Sequence, residues 1–388
     1  MKEAVKGFSD YTGEEALKRR KIREIVEEVF ELYGFEPAET PIIESEEFVK
    51  GDNAQDEAVS DIYRLKDKGD RKLALRYEFT FQLKRIVQNK KLPYKRYAIG
   101  PVFRDEPVSG NRSRQFTQCD IDVIGSTIKD EAEVLTATSE LLRRLGINSV
   151  INVNNRRLLN EILTEQGITE SPEKIIREID KLDKLPESEI LNNLDKFGAG
   201  KILEIFKQPE SYFKKYKYYS EVEELKKYCR LYGIEINFMP SLARGLSYYN
   251  GSVFEVKTKE IKETICGGGS FLTNGIQSTG ISQSIERLAT LAKIKPDFTN
   301  TLVISNNVDE EAIEITKKLR ENNLSCSIMF GKISKALEFA NNYKIKNVVI
   351  IGEEESKQKK VKFKNMVSGE ELLLTLNELL LKLKNDTN

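Results

Sequence analysis

Five arginines stand where a guanidinium could do chemistry. Arg104 precedes the turn-rich stretch Asp105-Glu106-Pro107-Val108-Ser109-Gly110-Asn111, and Arg112 and Arg114 follow it. Arginine's planar fork holds a phosphate through two parallel hydrogen bonds. These three are either phosphate ligands or surface charges of a loop. Arg244 lies in Leu242-Ala243-Arg244-Gly245-Leu246-Ser247-Tyr248-Tyr249-Asn250-Gly251, and Arg287 in the apolar run Ser284-Ile285-Glu286-Arg287-Leu288. An arginine inside an apolar helix needs either a carboxylate partner or a bound anion.

Carboxylates form the second group. Alternation puts Arg114, Phe116, Gln118, Asp120, Asp122 and Ile124 on one face of a strand, and Thr117, Cys119, Ile121 and Val123 on the other. Carboxylates in a row repel unless a cation lies between them. An amino group or an imidazole would fit, and a solvated face is the alternative. Arg76, Glu78 and Thr80 repeat the arrangement over Lys72 to Phe81, where a solvated face weighs more heavily. Gly267-Gly268-Gly269 would let a backbone approach a ligand closely, or forms a flexible turn.

Composition narrows the chemistry. The 388 residues contain no histidine and no tryptophan. That excludes a Ser-His-Asp triad, a Cys-His pair, an HExxH zinc site and a histidine general base. The balance of 62 basic against 62 acidic residues gives no support for a globally basic nucleic-acid binder. Cys119, Cys229, Cys266 and Cys326 form no CxxC pair and read as reduced thiols, with no metal site expected. No apolar run approaches a membrane span and the N-terminus lacks a signal-peptide core, so a cytoplasmic protein is expected.

The elements that carry these residues follow from periodicity. A helix is predicted over Glu14 to Tyr33 with Ile22, Ile25, Val26, Val29 and Phe30 inside and Gly34 as its cap. Strands are predicted over Lys72–Phe81, Tyr97–Arg104 and Arg114–Ile124, the last two forming a hairpin, and a helix over about Asp130–Leu145. Residues 155–232 read as a helical insertion. Strands return at Ile234–Phe238 and Ser252–Lys257, then a helix at about Ile281–Ala292. Beyond a linker at 293–298, strands and helices alternate as in a parallel α/β unit, ending with a strand at 361–363 and a helix from about Leu374.

Taken in order, these segments resemble the class II aminoacyl-tRNA synthetases, and among them the histidyl-tRNA synthetases, across essentially the whole chain. Lys6-Gly7-Phe8-Ser9-Asp10-Tyr11 is similar to the family's opening. The helix ending at Gly34-Phe35 with Pro41 resembles motif 1, the dimer element. Phe103-Arg104-Asp105-Glu106-Pro107 through Arg112-Ser113-Arg114-Gln115-Phe116 resembles motif 2, and Gly280-Ile281-Ser282 through Ile285-Glu286-Arg287-Leu288 motif 3. Two segments specify histidine: Leu242 to Tyr249, and Leu75-Arg76-Tyr77-Glu78-Phe79-Thr80. Gln118-Cys119-Asp120-Ile121-Asp122, Val153-Asn154-Asn155-Arg156-Arg157 and Ile179-Asp180-Lys181-Leu182-Asp183-Lys184 look most like the archaeal and eukaryotic branch. Five residues depart from the family. Ser270, Phe271 and Leu272 stand where Arg-Tyr-Asp is usual, Ser247 where Asp is frequent, and Ser9 where Arg is frequent.

The resemblance implies an α+β catalytic domain on an antiparallel sheet at 1–297, with its helical insertion, and an α/β anticodon-binding domain at 298–388. It implies a homodimer that uses ATP with Mg²⁺ to attach histidine to tRNA-His. Arg104, Arg244 and Arg287 would be catalytic. Arg104, Glu106, Arg112 and Arg287 would bind ATP. Glu78, Thr80, Gln118, Asp122, Arg244, Tyr248 and Tyr249 would bind histidine. The alternative is a non-catalytic paralogue, either a histidine-sensing regulatory subunit or a tRNA-binding accessory protein.

Overall fold

The computed structural model describes residues 3–51, 57–108, 112–168, 172–183, 185–244, 248–294 and 301–386. Ser109-Gly110-Asn111, Lys184, Gly245-Leu246-Ser247, most of the 293–298 linker and the 297/298 boundary lie outside them. The chain divides into two compact units, Met1–Lys295 and Pro296–Asn388.

The strands of the larger unit are β1 (Glu36–Pro37), β2 (Ile43–Ser45), β3 (Arg64–Lys66), β4 (Lys72–Leu75), β5 (Tyr94–Phe103) and β6 (Gln115–Ile124). They continue with β7 (Val150–Asn155), β8 (Asn237–Phe238), β9 (Tyr249–Lys257), β10 (Cys266–Thr273) and β11 (Ile276–Ser284). Eight of them form one sheet in the order β1-β5-β6-β11-β10-β9-β7-β8, and β2-β4-β3 form a small second sheet. The central strands are antiparallel, and only the short edge strands β1 and β8 pair in parallel.

One face of the large sheet is apolar. Cys119, Ile121 and Val123 of β6 join Ile22, Val26, Val29 and Phe30 of the Gly13–Leu32 helix, and Leu135 and Leu142 of the Ile128–Arg144 helix, in one core. The first helix ends at Gly34, whose φ of 76° a residue with a β-carbon rarely adopts. The second is capped by Asp130, whose carboxylate accepts from the Thr127 N–H (2.8 Å) and hydroxyl (2.7 Å). Burying helices on one face leaves the other free to carry the polar row.

Between β7 and β8 the chain is helical over Arg156–Glu165, Pro172–Ile179, Glu187–Asp195, Ile202–Phe206 and Tyr219–Leu231. Their buried residues, among them Leu159, Ile176, Leu194 and Leu225, join the same core.

The smaller unit carries β12 (Thr301–Ser305), β13 (Cys326–Phe330), β14 (Asn347–Ile351), β15 (Lys360–Asn365) and β16 (Glu371–Thr375) in the order β13-β12-β14-β15-β16. Its first three strands are parallel, as the alternation predicts. β16 is a strand that periodicity misses, because a short apolar run such as Leu372-Leu373-Leu374 carries no period of its own. It pairs antiparallel to β15 through a turn in which Asn365 accepts from the Val367 and Ser368 N–H groups, both at 2.9 Å.

The Lys72–Phe81 segment also departs from its predicted form. It leaves the sheet after Leu75, and Arg76, Tyr77, Glu78 and Phe79 are all buried. Arg76 is the cause. Its guanidinium donates to the Pro101 carbonyl and the Thr40 carbonyl, each at 2.8 Å, and lies over the Phe79 ring. The alternating pattern therefore ends where the chain turns onto the end of β5.

Candidate active site

The polar face of the large sheet is set by register. Asp122 pairs with Arg96 on β5 and with Gly280 on β11, and Gly280 pairs with Gly269 on β10. One step along, Asp120 pairs with Ala98 and Ser282, and Ser282 with Gly267. Side chains of paired residues share a face. Gln118, Asp120 and Asp122 thus stand in a row beside a floor of glycines.

Those glycines are required by close approach. A β-carbon at 280 would come 2.1 Å from an Asp122 carboxylate oxygen, and at 269 it would meet the Tyr249 ring at 2.8 Å. At 267 it would meet the Arg244 guanidinium at 2.6 Å. Asp122, Tyr249 and Arg244 all lie down over strand backbone.

Burial sets the charges of the row. Gln118 Nε2 donates to Asp120 at 2.8 Å, while Gln118 Oε1 and Asp120 Oδ1 are buried without a hydrogen-bond partner. Arg96 and Asp122 form an ion pair at 2.7 Å with side chains 1% and 4% exposed. Burial pushes Asp122 up to about 7, with Arg96 opposing and Asp120 adding. Glu78 is also pushed up to about 7 by burial, opposed by Arg104 and reinforced by Asp120 and Asp122. That mutual influence places Glu78 beside the row although it comes from another segment.

The irregular stretch carrying Glu78 and Thr80 is tied to β5 by two guanidinium groups. Arg104 Nε donates to the Tyr77 carbonyl at 3.1 Å, and Arg96 Nη2 to the Phe79 carbonyl at 3.3 Å. Thr80 is half-buried, and its carbonyl accepts from Leu83 at the following turn.

Arginines cluster at the outer end. Arg104 lies over the Phe116 ring, and Glu106 reaches Arg104 at 3.9 Å and Arg112 at 3.4 Å. Arg287 donates to the Thr264 carbonyl at 2.8 Å. Its affinity for a proton is lowered by burial and then by the charges of Arg112 and Arg104. Three guanidinium groups that repel one another, offset only by Glu106 and Glu263, make a candidate site for an anion. Arg114 turns away from them, pairing with Asp105 at 3.2 Å and donating to the Glu106 carbonyl. Glu286, beside Arg287, is structural: its two oxygens accept the Thr117 N–H at 3.0 Å, and one also pairs with Arg19 at 2.7 Å.

Arg244 pairs with Glu255 at 2.8 Å. Burial disfavours its charge, but Tyr249 and Glu255 outweigh that and hold it protonated. Tyr248 stacks edge-on to Phe271 at 5.7 Å and tilts against Tyr249 at 4.7 Å. Of the departing residues, Phe271 is buried among Leu83, Val87, Tyr94 and Ile124, Leu272 is exposed, and Ser270 bonds the buried Glu131.

Three participants escape sequence reasoning. Arg96 lies outside the predicted 97–104 strand, and extending the alternation Tyr94, Arg96, Ala98, Gly100 would have found it. Asp120 was visible in the row but without a role. Glu255, the partner of Arg244, has no local signal.

An antiparallel sheet backed by helices on one face, with motif arginines at the edge of the other, defines a class II aminoacyl-tRNA synthetase. The comparisons agree. The histidyl-tRNA synthetase family model matches residues 7–288, and the anticodon-binding domain model matches residues 301–386. The chain belongs to the histidyl-tRNA synthetase family. It is 32% identical to histidine–tRNA ligase 1 of Bacillus cereus over 97% of this chain and 98% of that one. It is 34% identical to histidine–tRNA ligase 2 of Shouchella clausii, covering 95% and 96%. The histidyl-tRNA synthetase structure from Nostoc sp. PCC 7120 superposes with a TM-score of 0.86 at 25% identity, covering 99% of both chains.

Proposed function

We propose that this chain activates histidine with ATP and transfers it to tRNA-His, through the residues that the family resemblance assigns. The histidine carboxylate attacks the α-phosphorus of ATP, an O–P bond forms, and pyrophosphate leaves with the electrons of the bond that breaks. The terminal ribose hydroxyl of the tRNA then displaces AMP from histidyl-adenylate. Neither step needs a protein histidine, because the attacking carboxylate is already ionised at neutral pH. The first step needs in-line positioning and fixed cations around developing negative charge.

Arg104 holds the α-phosphate and Arg287 the γ-phosphate side, with Arg112 and Glu106 completing the ATP contacts. Arg244 meets the reacting carboxylate. Glu78 and Thr80 hold the amino group, Gln118 the polar end, and Asp122, Tyr248 and Tyr249 surround the imidazole. ATP enters with Mg²⁺ on its phosphates as substrate. Residues 1–297 carry the catalytic domain, with the insertion at about 155–232, and 298–388 read the anticodon. The exposed Ile42 and Ile43 of the motif 1 segment support a homodimer. The four free cysteines support a reducing cytoplasm, and no described helix is long and apolar enough to cross a membrane.

The observation that carries this reading is that Arg104, clustered with Arg112 and Arg287, also acts on Asp120 in the buried row Gln118, Asp120 and Asp122. ATP–pyrophosphate exchange, with the twenty amino acids offered singly, tests it. Exchange with histidine alone is expected, and exchange with none would favour a non-catalytic paralogue.

A further inference from the structure

Arg96 belongs to no motif and touches two parts of the histidine pocket at once. It is 1% exposed, the largest fully buried side chain of the chain's described residues. One nitrogen, Nη2, pairs with Asp122 Oδ2 at 2.7 Å and donates to the Phe79 carbonyl at 3.3 Å. Phe79 lies between Glu78 and Thr80, in a segment with no strand ladder to hold it. The other Asp122 oxygen, Oδ1, lies over Gly280, at the glycine floor.

We infer that Arg96 is a positioning residue for histidine recognition: it pairs with one oxygen of Asp122, favours the ionised form of that carboxylate against burial, and leaves the other oxygen for the imidazole N–H. Through the Phe79 carbonyl it also fixes the segment that presents Glu78 and Thr80. This rests on the proposed function, in which Asp122 meets the imidazole.

The charges argue for it. Charged groups acting on or beside Asp122 are Arg96 from β5, Asp120 from β6 and Glu78 from the 76–81 segment; β11 presents Gly280, and Tyr248 and Tyr249 act on Glu78 rather than on Asp122. Burial and Asp120 both favour the neutral acid, and Arg96 is the cation that opposes them. Arg76 and Arg104 serve elsewhere, on the Thr40 and Pro101 carbonyls and on Tyr77. A protonated Asp122 could not accept from an imidazole N–H as strongly, because charge-assisted hydrogen bonds are about twice as strong as neutral ones.

The test is the pH dependence of histidine-dependent pyrophosphate exchange in Arg96→Met and Arg96→Lys. In Arg96→Met the KM for histidine rises about tenfold or more, and the acid-side inflection of kcat/KM moves up by about one pH unit or more. The KM for ATP stays within about twofold of wild type. Arg96→Lys keeps the inflection near its wild-type position, because the charge is retained. An unmoved inflection in Arg96→Met, or equal rises of both KM values, would overturn the inference. Should Arg96→Met fail to fold, the Arg96→Met/Asp122→Asn double variant leaves no unpaired charge. It should show a high histidine KM and no Asp122 inflection, and a wild-type KM there would overturn the inference. Failure of the underlying function is a separate outcome, seen as no exchange with histidine in the wild-type protein.

Discussion

Ser270 of β10 donates its hydroxyl to Glu131, a carboxyl buried in the first turn of the Ile128–Arg144 helix. Histidyl-tRNA synthetases usually place an arginine at this position, so here a neutral hydroxyl meets a buried acid. Burial pushes Glu131 up to about 7, offset only in part by hydrogen bonds from Ser252 and Ser270. A raised folded-state pKa means that stability is fully present below the unfolded value of about 4.3 and is lost as pH rises to about 7. Glu131→Gln removes that loss. It should be more stable than wild type by on the order of 3 kcal/mol above pH about 7, with no gain below pH about 4. Urea unfolding at pH 4 and pH 8 measures both, and an equal effect at the two pH values would contradict the assignment.

The adjacent glycines 267 and 268 should fail differently when each is replaced by alanine. At 268 the new β-carbon would stand 2.1 Å from the Gly280 carbonyl oxygen, in backbone that cannot yield. Gly268→Ala should therefore lose folded protein outright. At 267 the obstacle is the Arg244 guanidinium, the end of a flexible chain. Gly267→Ala should fold, keep its Tm within a few degrees, and lose about a hundredfold or more in exchange rate. Circular dichroism melts beside exchange assays separate the two, and a stable, fully active Gly267→Ala would show that Arg244 need not lie where it does.

Arg244→Ala should abolish pyrophosphate exchange while leaving the fold intact. Its partner Glu255 is not stranded, since Lys257 stands 3.6 Å away and can move in. Loss of one preorganised cation costs roughly a hundred- to a thousandfold in rate. Exchange at the wild-type rate would remove Arg244 from the mechanism.

For Asp122→Ala, a raised histidine KM is expected, with the ATP KM little changed. The variant also removes the ion-pair partner of the buried Arg96 and leaves Asp120 as the remaining carboxylate acting on it, so it loses stability by up to about 3–5 kcal/mol. Steady-state kinetics at a temperature where thermal melts show the variant folded isolates the first effect. An unaltered histidine KM would take Asp122 out of the recognition set.

Much of this site was legible along the chain. Side chains in a strand alternate at a fixed period, so Gln118, Asp120 and Asp122 had to share a face wherever β6 paired. Arg104, Arg244 and Arg287 stood out by their local sequence settings, a turn-rich hairpin, a glycine- and tyrosine-rich segment and an apolar helix, and the family resemblance supplied their roles. The helices at 13–32 and 128–144 followed from apolar spacing, which needs no partner to be read.

What the chain could not disclose is which residues meet. The 76–81 segment keeps a perfect alternation yet leaves the sheet after Leu75, because Arg76 finds carbonyls of Thr40 and Pro101 rather than solvent. Arg96 becomes the partner of Asp122 only through the register of β5 on β6, and Glu255 that of Arg244 only because β9 lies beside β10. Periodicity is a property of the local backbone, so sequence determined the faces. Pairing and charge depend on register and on burial by segments far along the chain, so only the tertiary structure decided that Arg96 offsets the effect of burial on Asp122.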